Sequence, residues 1–170
     1  MRVYSAAMSE PVAPDEVLKA FLFSYKAVVS RLEQSFDAAG TPGLFESVLL
    51  THLHRAPDNR MRMQDAGHFL QITKSGISRM IDRMVEAGLV ERQDWDADRR
   101  VTFIVMTERG REALRRSGVV FRQAFAETFS SRLTDDELYD LVRLLTRLGE
   151  DAYIGETVLN ARAAREAGIR

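Results

Sequence analysis

Between Thr73 and Ala87 the apolar residues Ile77, Met80, Ile81, Met84 and Val85 recur at intervals of three and four, which marks one buried stripe of an α-helix. The opposite face carries Lys74, Ser75, Ser78, Arg79 and Arg83. Thr73 is placed to cap the helix N-terminus, and Gly88 to end it in the left-handed conformation with Leu89 folding back toward Met84. Upstream, Met63 to Leu70 spells a short helix with Met63, Ala66 and Leu70 inward, and Gln71 and Ile72 leave only a tight connection between the two helices. Downstream, Leu89 to Gln93 and Val101 to Met106 read as strands carrying β-branched and aromatic residues, separated by the polar turn segment Trp95-Asp96-Ala97-Asp98-Arg99-Arg100.

Longer helices flank this segment. In Val17 to Phe36 the set Leu18, Phe21, Tyr25, Val28, Leu32 and Phe36 makes an apolar stripe too large for an isolated helix to leave in water. Thr107 is positioned to cap a long helix whose Leu114, Phe121, Phe125 and Phe129 project to one side. Thr134-Asp-Asp-Glu137 has the spacing of a capping box and opens a helix with Leu138, Leu141, Val142, Leu145 and Leu148 on one side. These stripes fit either a bundle inside one monomer or a bundle between two subunits.

Two helices joined by a tight turn, a glycine stop and a two-stranded hairpin follow one another in the order of a winged helix-turn-helix. The predicted class is mainly α with a small β wing. The short hydroxyls and long cations on the 73–87 helix are the side-chain types that donate to phosphate oxygens and to the acceptor edges of guanine in the major groove. An arginine near the tip of the hairpin suits an adjacent narrow minor groove with its negative potential. The expected partner is therefore double-stranded DNA, with the first helix crossing the backbone and the second entering the groove. Exposed helix charges are more usually a solvated face; here the agreement of helix and wing favours DNA. Asp82 shares the face and is expected to pair with Arg79 or Arg83, and Trp95 is expected to be a packing anchor.

The run Ile72-Thr-Lys-Ser-Gly-Ile-Ser-Arg-Met-Ile-Asp-Arg-Met, with Glu86-Ala-Gly-Leu-Val-Glu-Arg, Asp98-Arg-Arg-Val and Thr107-Glu-Arg-Gly after it, closely resembles the MarR (multiple antibiotic resistance regulator) family. Weaker resemblance extends over roughly Val17 to Leu148. The resemblance implies a homodimer with interlocking terminal helices, each subunit presenting one winged helix-turn-helix to half of a pseudo-palindromic operator. It places Thr73, Lys74, Ser75, Ser78 and Arg79 on recognition-helix positions, with Arg83 on the same helix. Asp98 and Arg100 fall on the wing motif, where the arginine enters the minor groove and the aspartate holds it, and Arg99 falls at a variable position suited to phosphate. This chain departs from the family in having Gln71 where a turn glycine is usual, and Ala66-Gly67 where a Leu-Ala pair is usual. The implied organisation is a flexible lead-in over residues 1–14, a single domain over 15–152 and a tail at 153–170 of helix-forming composition. Within the domain, dimerisation helices at 15–38 and 108–152 flank a winged helix-turn-helix at about 43–107.

The expected function is a sequence-specific transcriptional regulator of the cytoplasm, a repressor released by a small, aromatic ligand. The alternative is an effector-independent winged-helix module that binds DNA or protein. Phe21, Tyr25, Phe45, His52 and His54 are candidate walls of an effector pocket, and Phe21, Tyr25 and Phe45 equally suit a core.

Composition adjusts this picture in a few places. A net charge of -1 over 170 residues is not the footprint of a globally basic DNA binder. The charge is uneven, however: Arg60, Arg62, Lys74, Arg79 and Arg83 surround the proposed DNA face, and Asp135, Asp136, Glu137 and Asp140 cluster at the far helix. With no cysteine there is no disulfide, thiol switch or thiolate metal ligand. His52 and His54 would point about 200° apart on a helix and cannot easily share an ion, so neither metal nor cofactor is expected. No nucleophile with its base and orienting group stands out, and no enzymatic activity is expected. No apolar run approaches the roughly 20 residues needed to span a membrane, and the N-terminus lacks the pattern of a signal peptide.

Overall fold

The structure, a computed structural model, describes residues 12–95 and 98–149, with the side chains of residues 95 and 98–100 outside the description. Of the lead-in expected over residues 1–14, residues 1–11 lie outside the described residues and Pro14 already opens the first helix; the tail expected at 153–170 lies outside them as well. The described chain forms α1 (Pro14–Ala38), α2 (Leu44–Arg55), β1 (Arg60–Arg62), α3 (Met63–Phe69), α4 (Lys74–Glu86), β2 (Val90–Trp95), β3 (Asp98–Met106), α5 (Glu108–Phe125) and α6 (Asp135–Leu148). This is the mainly helical winged helix that the pattern predicts.

Two cores divide the work. The larger unites Leu49, Leu50 and Leu53 of α2, Ala66 of α3, Ile77, Met80, Ile81 and Met84 of α4, Val90 of β2, and Ile104 and Met106 of β3, with Ala113 of α5 at its border. The smaller joins Leu32 and Phe36 of α1 to Leu44 of α2 and Ala124 of α5. Burial of each such side chain contributes on the order of 2 kcal/mol, so the predicted stripe of α4 is the main anchor of its lobe. Val85 departs from expectation: it lies at the edge of the stripe and stays exposed.

Local chemistry sets the ends of the elements. Thr73 Oγ1 accepts from the Gly76 N–H at 3.2 Å and so caps α4. At the other end Gly88 takes φ 70°, and the Leu89 N–H reaches back to the Met84 carbonyl at 2.8 Å. Gln71 sits in the helix-turn-helix connection at φ 52°, a left-handed conformation that a glycine would adopt without strain. Thr107 Oγ1 lies 2.7 Å from the Gly88 carbonyl oxygen, accepts from the Gly110 N–H at 2.9 Å, and thereby ties the sheet to the start of α5. A Cβ at Gly110 would overlap the Leu89 carbonyl and meet Met106 Cγ at 3.0 Å, so this junction requires glycine. The predicted capping box is present, with Thr134 and Glu137 satisfying each other's N–H groups.

Three expectations need correction. The sheet has three antiparallel strands in the order β1-β3-β2, because Arg60–Arg62 pairs with Val105, Ile104 and Phe103. The predicted polar turn of six residues is too long: strand pairing continues through Trp95 opposite Asp98, after a register shift at Asp94/Trp95. Thr102 Oγ1 also donates to Asp94 Oδ1 at 3.2 Å, which holds the two strands together at the base of the segment expected to be a turn. Finally, the long helix after Thr107 is interrupted, since α5 ends at Phe125 and Ala126–Ser130 forms a π turn. Phe125 and Phe129 still stack, with ring centroids 4.9 Å apart.

Candidate nucleic-acid interface

The outward face of α4 is built by its register. With Ile77, Met80, Ile81 and Met84 turned inward, helical geometry leaves Lys74, Ser75 and Arg79 exposed, with Ser78 half-buried beside them. Thr73 does two jobs, since its Oγ1 caps the helix and lies 3.2 Å from Ser75 Oγ. Lys74 and Arg79 make no ion pair among the described residues, so their charges remain available to a polyanion.

Asp82 and Arg83 are differently placed. Asp82 Oδ1 accepts from Arg92 Nη2 of β2 at 2.7 Å, not from Arg79 or Arg83 as expected. The alternation of β2 explains this and could have predicted it: Val90 is buried against α4, so Arg92, two residues on, faces the same way. Arg83, expected at the DNA face, donates from Nη2 to Glu46 Oε1 on α2 at 3.2 Å. No signal in the sequence links residues 37 positions apart.

The hairpin stands beside α4, and Asp98, Arg99 and Arg100 lie at the start of β3. Their side chains, like that of Trp95, are outside the described ones. On β1, Arg60 pairs with Asp58 at 3.5 Å and lies over the Phe103 ring, 5.0 Å from its centroid.

The residues expected at an effector pocket do not come together. A cleft of about 580 Å³ lies between α1, α2 and α5, and of the five candidates only His52 lines it. Its walls are apolar, from Phe36, Leu44, Val48, Leu114 and Phe121, and Arg55 and Arg122 supply cations. His52 stacks on Phe69 with ring centroids 4.0 Å apart, and burial, followed by the charge of Arg55, lowers its pKa. Phe45 packs against the larger core, Phe21 and Tyr25 stand on the exposed face of α1, and His54 is exposed. At the cleft floor Ser47 Oγ lies 3.0 Å from both Ser117 Oγ and the Pro42 carbonyl oxygen, which satisfies two buried hydroxyls. Among the described residues no cluster of His, Cys, Asp or Glu is placed to hold a metal ion.

Residues 39–101, which contain α2, α3, α4 and the first strands, match the family model described as the MarR family. That segment is similar to the MarR family. Solved structures extend the likeness to the flanking helices. A MarR family transcriptional regulator from Streptomyces coelicolor, solved in complex with DNA, is 24% identical with a TM-score of 0.75 and covers 84% of this chain and 91% of its own. AbsC, another MarR family transcriptional regulator from Streptomyces coelicolor, is 26% identical with a TM-score of 0.73, covering 84% and 97%. BpsR of Bordetella bronchiseptica, whose DNA binding is regulated by 6-hydroxynicotinic acid, is 21% identical with a TM-score of 0.70, covering 79% and 98%. The fold is thus that of DNA-binding transcriptional regulators. No described helix is long and apolar enough to cross a membrane.

Proposed function

We propose that the protein is a homodimeric transcriptional repressor of the cytoplasm that reads a pseudo-palindromic operator and leaves it when a small aromatic acid binds. The observation that carries the DNA-binding part is the face of α4, where a capped helix holds Lys74, Ser75 and Arg79 outward with no ion pair among the described residues. In this reading Thr73, Lys74, Ser75, Ser78 and Arg79 meet the major groove, and Arg100, with Asp98 beside it in β3, reaches the minor groove while Arg99 meets phosphate. Two copies set about one helical turn of DNA apart, roughly 34 Å, would read successive major grooves.

The dimer is supported by apolar residues that the monomer leaves uncovered. Leu18, Phe21, Leu22 and Tyr25 of α1 are about half exposed, and Leu148 of α6 is 76% exposed. A stripe of this kind on a monomer is a liability unless a partner covers it. The ligand is supported by the α1/α2/α5 cleft, whose apolar walls suit a ring and whose Arg55 and Arg122 suit a carboxylate. BpsR provides a relative whose DNA binding answers to an aromatic acid. A ligand that prefers a form with different helix spacing would lower DNA affinity by its differential binding energy.

The test begins by selecting duplexes from a randomised pool with the full-length protein. The Lys74→Ala/Arg79→Ala protein should bind the selected duplex more weakly, with a salt dependence less steep by about one unit per lost phosphate contact in each subunit. A pool that yields no enriched sequence, or a salt slope unchanged by both substitutions, would overturn the reading.

A further inference from the structure

We propose that Asp82 and Arg83 are positioning residues that brace the recognition helix between the wing and α2, and that neither spends its charge on DNA. The inference rests on reading α4 as the DNA-reading helix. It adds which residues fix the pose of that helix.

The apolar stripe of α4 holds the helix to its lobe through a non-directional force, and polar tethers at its edge add direction to that hold. Neighbouring residues on a helix point about 100° apart, so tethers at 82 and 83 pull in two directions. Asp82 runs to Arg92 on β2 at 2.7 Å, and Arg83 runs to Glu46 on α2 at 3.2 Å. Both anchors stand on other elements of the same lobe. Arg92 shares the strand face of buried Val90. Glu46 keeps only 18% of its side chain exposed, and its second oxygen accepts from the Gly43 N–H at 3.2 Å, capping α2. A cation that only served phosphate would gain nothing from a carboxylate held on its guanidinium. A carboxylate on a DNA face repels phosphate unless it is needed there.

The sign of the effect separates this role from a bystander's. Removing a negative charge near DNA strengthens binding to every duplex through phosphate attraction. Removing a brace weakens binding to the preferred duplex, because side chains aimed at base edges lose their register, while binding to unrelated sequence does not weaken.

Asp82→Asn and Glu46→Gln should therefore be compared with the wild-type protein on two probes: a duplex selected by the wild type from a randomised pool, and a shuffled duplex of equal length. Each substitution should lower affinity for the selected duplex about threefold, the size expected of partly exposed ion pairs, leave the shuffled duplex unchanged or bound more tightly, and leave the thermal midpoint nearly unmoved. Arg83→Gln should do the same alone and add nothing in the Glu46→Gln background, with the salt slope unchanged. Tighter binding of both duplexes by Asp82→Asn or Glu46→Gln would overturn the proposal. So would a loss on both duplexes by Arg83→Gln that persists without Glu46, since Arg83 would then be a DNA contact. Failure of the wild type to select any sequence would remove the DNA-reading assignment itself, and is seen before any variant is made.

Discussion

In the lobe formed by α2–α4 and the three strands, Leu49, Leu50, Leu53, Ile81 and Ile104 have no exposed surface, whereas Leu18, Phe21 and Tyr25 of α1 and Leu144, Leu145 and Leu148 of α6 stand in solvent. Both regions are written with the same helical periodicity. The lobe closes its stripes against one another within about 60 residues, because α4 has apolar neighbours on α2, α3 and the sheet. At the described chain ends the second half of α1 finds partners, Leu32 and Phe36 meeting Leu44 of α2 and Ala124 of α5, while no residue of α6 is fully buried. Amphipathic periodicity thus reports that a face is to be covered, while what covers it depends on where the neighbouring elements stand.

The largest effect should come from breaking the open region. Phe21→Glu combined with Leu145→Glu places two charges on faces that the monomer leaves uncovered, so the lobe should keep its fold. If those faces join two subunits, sedimentation at micromolar concentration should shift from dimer to monomer. Affinity for a two-half-site operator should then fall on the order of 100-fold or more, as the second half-site no longer binds as part of one particle. A wild-type monomer, or a variant that stays dimeric, would show that the faces serve something else.

Inside the closed region the sharpest single probe is Gly110→Ala. The added Cβ would overlap the Leu89 carbonyl, which belongs to the backbone and cannot swing aside, and would crowd Met106 Cγ. Overpacking of this kind costs about 3 kcal/mol, and chemical denaturation should register it independently of protein concentration. A neutral outcome would mean that the sheet and α5 separate more easily than Thr107 and its bonds to Gly88 and Gly110 imply.

The two regions also differ in how far the sequence alone describes them. Caps were legible wherever their chemistry is local: Thr73, Thr107 and Thr134 each accept from an N–H three residues ahead, as their spacing predicts. The stripe of α4 was legible for the same reason, apart from Val85 at its margin. β1 escaped because three residues, Arg60–Arg62, carry no period, and their strand character comes from pairing with β3 some forty residues away. The partners of Asp82 and Arg83 escaped because they lie on β2 and α2, and only the strand alternation of Val90 and Arg92 hinted at one of them. The candidate effector residues were grouped by side-chain type, and the fold does not gather them around the cleft between α1, α2 and α5. Arg55 and Arg122 line it, while four of the five named residues do not.

The smallest effect lies on the seam between the regions, at His52. Its ring stacks on Phe69 of α3 and also lines the cleft toward α5, so it belongs to both. Burial and then the charge of Arg55 hold its pKa below the ordinary value of 6.5. The unfolded chain, in which His52 titrates near that ordinary value, therefore takes up the proton first as pH falls. His52 leaves stability intact above about pH 6.5 and withdraws some of it as pH drops below, until the folded form is protonated as well. His52→Phe keeps a ring against Phe69 and removes the titration. The thermal midpoint of the variant should decline less than that of the wild type between pH 7 and pH 5.5, and parallel declines would show that the carboxylates alone set the acid limb. Repeating the pair with the Phe21→Glu/Leu145→Glu protein then assigns the seam. A difference that survives both substitutions belongs to the closed lobe, and one that vanishes depends on the apolar faces that they charge.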